Sequence, residues 1–117
     1  MEQINFVHIL GTVGSVRTQN IGGKNVARMT VATNLAYKGA DGCAVIETTW
    51  HYVTAWEGEG IADLAKITRG AKLDITGRLR TQRYTGSDGT DRTNTEIVAK
   101  TLTLIDESES LTFEGNL

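Results

Sequence analysis

Apolar and polar positions alternate along most of this 117-residue chain, and clusters of Gly, Asp and Asn interrupt the alternation at three places. The interruptions are Asn20-Ile21-Gly22-Gly23-Lys24-Asn25, Lys38-Gly39-Ala40-Asp41-Gly42 and Thr85-Gly86-Ser87-Asp88-Gly89. Glycine supplies positive φ and Asp or Asn side chains bond back to their own backbone, so these clusters read as hairpin loops. The runs between them are Ile4 to Thr18, Val26 to Tyr37, Val45 to Trp56, Ala71 to Arg83 and Arg92 to Ile105. Each is rich in β-branched residues and none contains proline, which is absent throughout, so five strands are predicted. Between the third and fourth runs, Ile61, Leu64, Ala65 and the stem of Lys66 recur at helical spacing before Gly70. One short helix is predicted there, within Glu59 to Arg69.

The resulting order, three strands, a helix and two strands, predicts an all-β fold. It is that of a five-stranded Greek-key barrel of the oligonucleotide-binding (OB) type, with one short helix between strands 3 and 4. Gly11 and Gly77 fall inside strand runs, where a small closed barrel needs bends or bulges. No internal repeat is visible, and the length suits one domain with a core that needs neither disulfide nor metal. Residues 1–105 form that domain, and residues 106–117, rich in Ser and Glu, read as a short acidic disordered tail.

Strand parity carries the functional information. In the third run Trp50, Tyr52, Thr54 and Trp56 share one face, while His51, Val53 and Ala55 share the other. Either face can be packed inward, so both arrangements stay open at this point. In the fourth run Leu73, Ile75 and Leu79 suit the barrel interior, and Lys72, Arg78, Arg80 and Tyr84 lie on the opposite side with Asp74, Thr76 and Gln82. Trp50 and Trp56 stand roughly 20 Å apart at about 3.3 Å per residue, within reach of successive parts of one nucleic-acid strand. Flat rings along a cationic groove are what unpaired bases and their phosphates require. The first run is apolar on both parities, with Ile4, Phe6 and Leu10 on one and Val7 and Ile9 on the other, as expected if another subunit buries its outer face. Phe6 is assigned to the core and Cys43 to a loop.

Charge adds a detail to this picture. The formal net charge is −2, but residues 1–105 hold all twelve Lys and Arg against ten acids, whereas the tail holds four acids alone. A mildly basic body precedes an acidic end. The single cysteine offers neither a disulfide framework nor a zinc site, and a reducing cytoplasmic setting fits. No signal-peptide pattern and no bilayer-length apolar stretch is present, so no membrane partner is expected. His8 and His51 have no nucleophile or carboxylate cluster beside them, the acids are scattered, and no glycine-rich phosphate loop followed by Lys and Ser or Thr occurs. A hydrolase or nuclease is excluded on these grounds, and no cofactor, metal or catalytic residue is assigned.

Several stretches together resemble one family. They are Ile9-Leu10-Gly11-Thr12-Val13-Gly14 with Val16-Arg17, Val31-Ala32-Thr33-Asn34 and Glu47-Thr48-Thr49-Trp50-His51. Leu73 to Tyr84, around Gly77-Arg78-Leu79-Arg80-Thr81, and Asp91-Arg92 with Thr95-Glu96-Ile97-Val98 complete the set. Over nearly all of residues 4–105 the chain is similar to the homotetrameric bacterial single-stranded DNA-binding proteins. The resemblance implies binding and protection of single-stranded DNA without sequence specificity, in replication, recombination or repair, by a cytoplasmic protein of chromosomal, plasmid or phage origin. It implies a homo-oligomer, a tetramer arranged as a dimer of dimers. It also implies base stacking on Tyr37, Trp50, Trp56 and Tyr84, two of which are Tyr where the best-known members carry Trp, which reduces stacking area. Candidates for phosphate contacts are Arg17, Lys38, Lys72, Arg78, Arg80, Arg83 and Arg92. In the family the His after this Trp lies between subunits, which assigns His51 to assembly. A primosomal relative of the same fold, a dimer that chiefly docks other replication proteins, is the alternative, and retention of all four stacking positions weighs against it. Family members usually end in a long linker and an acidic-hydrophobic tip that recruits partners. The tail here contains Phe113 but lacks that terminal pattern, so recruitment through it is not expected.

Overall fold

A computed structural model describes residues 1–105; the tail, and with it the sequence reading of residues 106–117, lies outside the described residues. Five strands follow one another: β1 (Val7–Ile21), β2 (Lys24–Lys38), β3 (Ala44–Trp56), β4 (Lys72–Thr85) and β5 (Asp91–Leu104). They close into a barrel in the spatial order β1-β2-β3-β5-β4. All neighbours are antiparallel except β3 and β5, which run parallel where Val53 and Thr54 meet Ile97 and Val98.

The first hairpin shows why these residues form these elements. Gly22 and Gly23 both take positive φ, 61° and 87°, between the paired Ile21 and Lys24. A two-residue turn with two positive φ values matches the right-handed twist of its strands, and glycine adopts it without a Cβ penalty. Gly77 serves differently: the β4–β5 register shifts between Thr76 and Gly77, and a Cβ there would lie 2.1 Å from the Val98 carbonyl oxygen. The register shift in β1 falls between Val13 and Ser15, not at Gly11. Gly11 instead admits the Ala32 carbonyl of β2, 2.5 Å from where its Cβ would stand.

Period-2 patterning fills the barrel. Val13, Met29, Val31, Val53, Ala55, Leu73, Ile75, Ile97 and Leu102 are buried in one cluster. Each fully buried aliphatic side chain contributes about 1.5–3 kcal/mol of transfer free energy.

Three expectations are corrected. The helix within Glu59 to Arg69 is a single 3-10 turn, Leu64–Lys66, started by Asp63, whose Oδ1 accepts from the Ala65 amide at 3.0 Å. The preceding residues make one turn bond, Ile61 N to Gly58 O at 3.2 Å, and then bond to β5: Ala62 N donates to Leu102 O and Leu102 N to Gly60 O, both at 2.8 Å. Those sheet-like bonds replace a helical nucleus that a segment this short forms only at a cost, and Leu64 and Ile67 are buried against the core. Leu79 is 47% exposed, because β1 pairs with β4 only up to Gly77 and β4 then leaves the barrel wall. Phe6 precedes the first strand and is 65% exposed rather than part of the core.

Two ribbons project beyond the barrel. In one, Thr33–Lys38 of β2 pair only with Ala44–Thr49 of β3; in the other, the outer part of β4 pairs with the outer part of β5, up to Thr85 and Asp91. Both carry residues singled out by the sequence.

Candidate nucleic-acid interface

The inward row of β3 is fixed by burial: Val53 and Ala55 are fully enclosed in the core. Alternation then sends Trp50, Tyr52, Thr54 and Trp56 outward, and Trp50, Tyr52 and Trp56 are 56%, 58% and 40% exposed. The sequence left both orientations open; the core decides for aromatics outside. Exposure of three large rings in one row is costly in water and needs a reason beyond folding.

Register extends this outward row across the neighbouring strands. Thr30 lies opposite Tyr52 and Ser15, and Arg28 lies opposite Thr54 and Arg17. On the other side Val98 lies opposite both Thr54 and Arg78, and the same row of the β4–β5 ribbon carries Arg80 opposite Glu96, Gln82 opposite Asn94 and Tyr84 opposite Arg92. Directly opposed residues point to the same side of a sheet. One continuous surface therefore holds Trp50, Trp56, Tyr84, Arg17, Arg78, Arg80 and Arg92, with Tyr84 near the end of its ribbon and half exposed. The local charge is positive although the chain is not.

Trp50 has a built seat. A Cβ on Gly14 would stand 2.4 Å from Trp50 Cζ3 and 2.8 Å from its Cη2, so the ring lies across β2 onto the bare backbone of β1. Thr30 fixes the irregular step beside it: its Oγ1 accepts from the Ser15 amide at 3.0 Å and bonds the Ser15 hydroxyl at 2.9 Å.

Other predicted residues lie apart from this row. Tyr37 pairs with Val45 near the end of the β2–β3 ribbon, in the row that continues the barrel interior, and is about half exposed. Arg83 likewise pairs with Thr93 on the reverse of its ribbon. Right-handed twist, which is larger in two-stranded ribbons, turns such rows progressively toward a new direction. Lys38 closes β2 opposite Ala44, and Lys72 lies on the outer side of the β1–β4 wall opposite Thr12. Arg92 donates to Asp88 Oδ2 at 3.1 Å within the last hairpin. Hydrogen bonds from the Thr90 hydroxyl and amide, and then from Arg92, hold the Asp88 carboxyl below the usual carboxylate range. His51 occupies the inward row of β3 where the barrel opens; it is half-buried, with Nε2 2.9 Å from Thr33 Oγ1.

Four contributors carried no assigned role in the sequence reading. Tyr52 was visible by parity beside the two tryptophans. Arg28, Asn94 and Glu96 were not, since only the register and the parallel β3–β5 contact bring them to this face. Among the described residues no group of three or more His, Cys, Asp or Glu is arranged to hold a metal ion. No described helix is long and apolar enough to cross a membrane.

Comparison with known proteins shows the family and the fold. The model of the single-strand binding protein family matches residues 4–105. A single-stranded DNA-binding protein of Rhizobium meliloti (strain 1021) is 32% identical over 114 residues, covering 88% of this chain and 64% of the relative. One from Xanthomonas axonopodis pv. citri (strain 306) is 29% identical over 104 residues, covering 87% of this chain and 58% of the relative. The chain thus spans less than two thirds of the length of these two relatives. Among solved structures, the Plasmodium falciparum SSB in its complex with ssDNA has the same fold, with a TM-score of 0.78 at 22% identity over 91% of this chain and 98% of that one.

Proposed function

The chain belongs to the single-strand binding protein family, and from that membership we propose that it coats single-stranded DNA with broad tolerance of sequence, in replication, recombination or repair. The observation that carries the proposal is the outward row of Trp50, Tyr52 and Trp56, exposed on a face shared with Arg17, Arg78, Arg80 and Tyr84. Every base has a π-face, so stacking on these rings is worth roughly 1–3 kcal/mol per base whatever the sequence. The guanidinium groups contact phosphates and release condensed counterions, which supplies a salt-dependent term. A base stacked on a ring is withheld from pairing, so bound strands lose secondary structure and are shielded. The rings are already outside and Trp50 is already seated on Gly14, so binding requires no opening of the core. The action is binding alone, with no bond made or broken.

The same reading takes Tyr84, near the end of that face, and Tyr37, on the other ribbon, as further stacking positions. Arg92, beside Tyr84, and Lys38, Lys72 and Arg83, off that face, are further phosphate contacts. The protein acts as a homo-oligomer, a tetramer built as a dimer of dimers, in the cytoplasm on nucleoid, plasmid or phage DNA. Support for assembly comes from the outer side of β1, where Leu10 is exposed beside the hydrogen-bonded His8–Asp74 pair, and from exposed Ile4 and Phe6 just before it. His51, half-buried where the barrel opens, is the proposed assembly residue.

A titration of intrinsic tryptophan fluorescence with unstructured thymidine oligomers tests the proposal. Quenching that saturates with oligomer and weakens as salt rises is expected. An unchanged spectrum, with no binding by an independent method, overturns it.

A further inference from the structure

The outward face is not flat between its two tryptophans. A groove of about 400 Å³ opens at the two intervening outward positions of β3, Tyr52 and Thr54. Arg28 and Thr30 of β2 line one side and Asn94 and Glu96 of β5 the other. That volume lies in the range of small-molecule sites and exceeds what a single planar base needs. The groove also holds a carboxylate on an otherwise cationic, stacking surface. Arg17 and Arg28 line the β1–β2 side of the groove and suit the phosphate, whereas a phosphate placed against Glu96 itself would meet a like charge in a partly desolvated site, which costs binding energy. The occupant that suits Glu96 is therefore the polar edge of a base and not the backbone.

Glu96 is oriented for that task. The Thr54 hydroxyl, itself buried, donates to Glu96 Oε2 at 2.8 Å and fixes the carboxylate, while an ionised carboxylate keeps further lone pairs to accept with. Tyr52 presents an exposed ring beside it. We infer that this groove is a base-reading subsite, in which Tyr52 stacks one base and Glu96 accepts from that base's amino group. Cytosine, adenine or guanine is thereby favoured there over thymine. Cytosine N4, adenine N6 and guanine N2 are exocyclic amino donors, whereas the one donor of an unpaired thymine, its ring N3–H, lies between O2 and O4, two acceptors that a carboxylate brought to that edge repels. Binding along the rest of the face remains tolerant of sequence, and the bias belongs to one position per subunit.

The inference rests on the strand-binding reading, and its test separates the two. Affinities for a deoxycytidine oligomer and a thymidine oligomer of equal length are measured for the wild-type protein, Glu96→Gln, Tyr52→Ala and Tyr52→Phe. Base-dependent stacking on Trp50 and Trp56 is common to all four proteins and cancels when the cytosine-to-thymine affinity ratios are compared. Glu96→Gln keeps an acceptor for Thr54 but adds an amide donor that suits O4, so the ratio falls roughly tenfold. Tyr52→Ala weakens both oligomers and Tyr52→Phe restores them. An unchanged ratio in Glu96→Gln, with both oligomers still bound, overturns the subsite and leaves the strand-binding function standing. Failure of the wild-type protein to bind either oligomer overturns the function and the subsite together.

Discussion

Trp50 and Ile75 are both large apolar residues on strands, yet they do opposite things, and only parity separates them. Ile75 is fully buried, so Ile75→Ala removes packing and leaves a cavity. A loss of about 2–5 kcal/mol in chemical-denaturation stability is expected. Trp50 is mostly outside, so Trp50→Ala leaves stability nearly unchanged and weakens thymidine-oligomer binding by about 1–3 kcal/mol in the same buffer. Gly14→Ala is the sharper version. Its Cβ would displace the Trp50 ring without removing it, so oligomer affinity falls while the tryptophan count stays constant. Alternation along β3 was legible in the sequence, as was the inward placement of Leu73 and Ile75. Leu79 was not, because parity says which side a residue takes and not where the barrel wall ends. Phe6 failed for a related reason: it lies ahead of the first strand, one position before Val7, where the chain begins to pack against the core.

At the scale of elements, the strands and their loops were readable because Gly, Asp and Asn clusters punctuate runs of β-branched residues. The helix was misread because Ile61, Leu64 and Ala65 have helical spacing, and nothing local reveals that Gly60 and Ala62 bond to Leu102. The groove beside Tyr52 was hidden for the same kind of reason, since β5 reaches β3 only through a parallel contact distant in sequence. The tip of the β4–β5 ribbon has a pH dependence of defined sign. Folding holds the Asp88 carboxyl below its ordinary value of 3.8, so its contribution is complete above that value and is lost as pH falls through the lower folded one. Amide exchange at Gly89 and Thr90 should therefore quicken on acidification below about pH 4 relative to the barrel strands. Asp88→Asn should remove that pH step while loosening the loop at neutral pH.

The whole molecule resolves the conflict between a net charge of −2 and the polyanionic ligand proposed for it. Four of the acids lie in the tail beyond Ile105, and within the barrel register collects arginines on the aromatic face. Composition could show the first fact but not the second. Exposed Leu10 on β1 and Phe6 just before it are the apolar groups that the proposed assembly would cover: Leu10→Asp combined with Phe6→Asp should lower the solution mass measured by light scattering while leaving the circular dichroism of the barrel intact. A mass unchanged from wild type would overturn assembly through these residues.

Rings and arginines on one face should bind the same strand by separable terms, and the salt dependence of thymidine-oligomer affinity for the wild-type protein, Trp50→Ala and Arg80→Ala reads those terms apart. Loss of the ring should lower affinity at every salt concentration with the slope of log affinity against log salt unchanged. Loss of the arginine should reduce that slope by about 0.7, the share of one phosphate contact on a single strand. Parallel, superimposable lines for all three proteins would contradict the assignment of this face to single-stranded DNA.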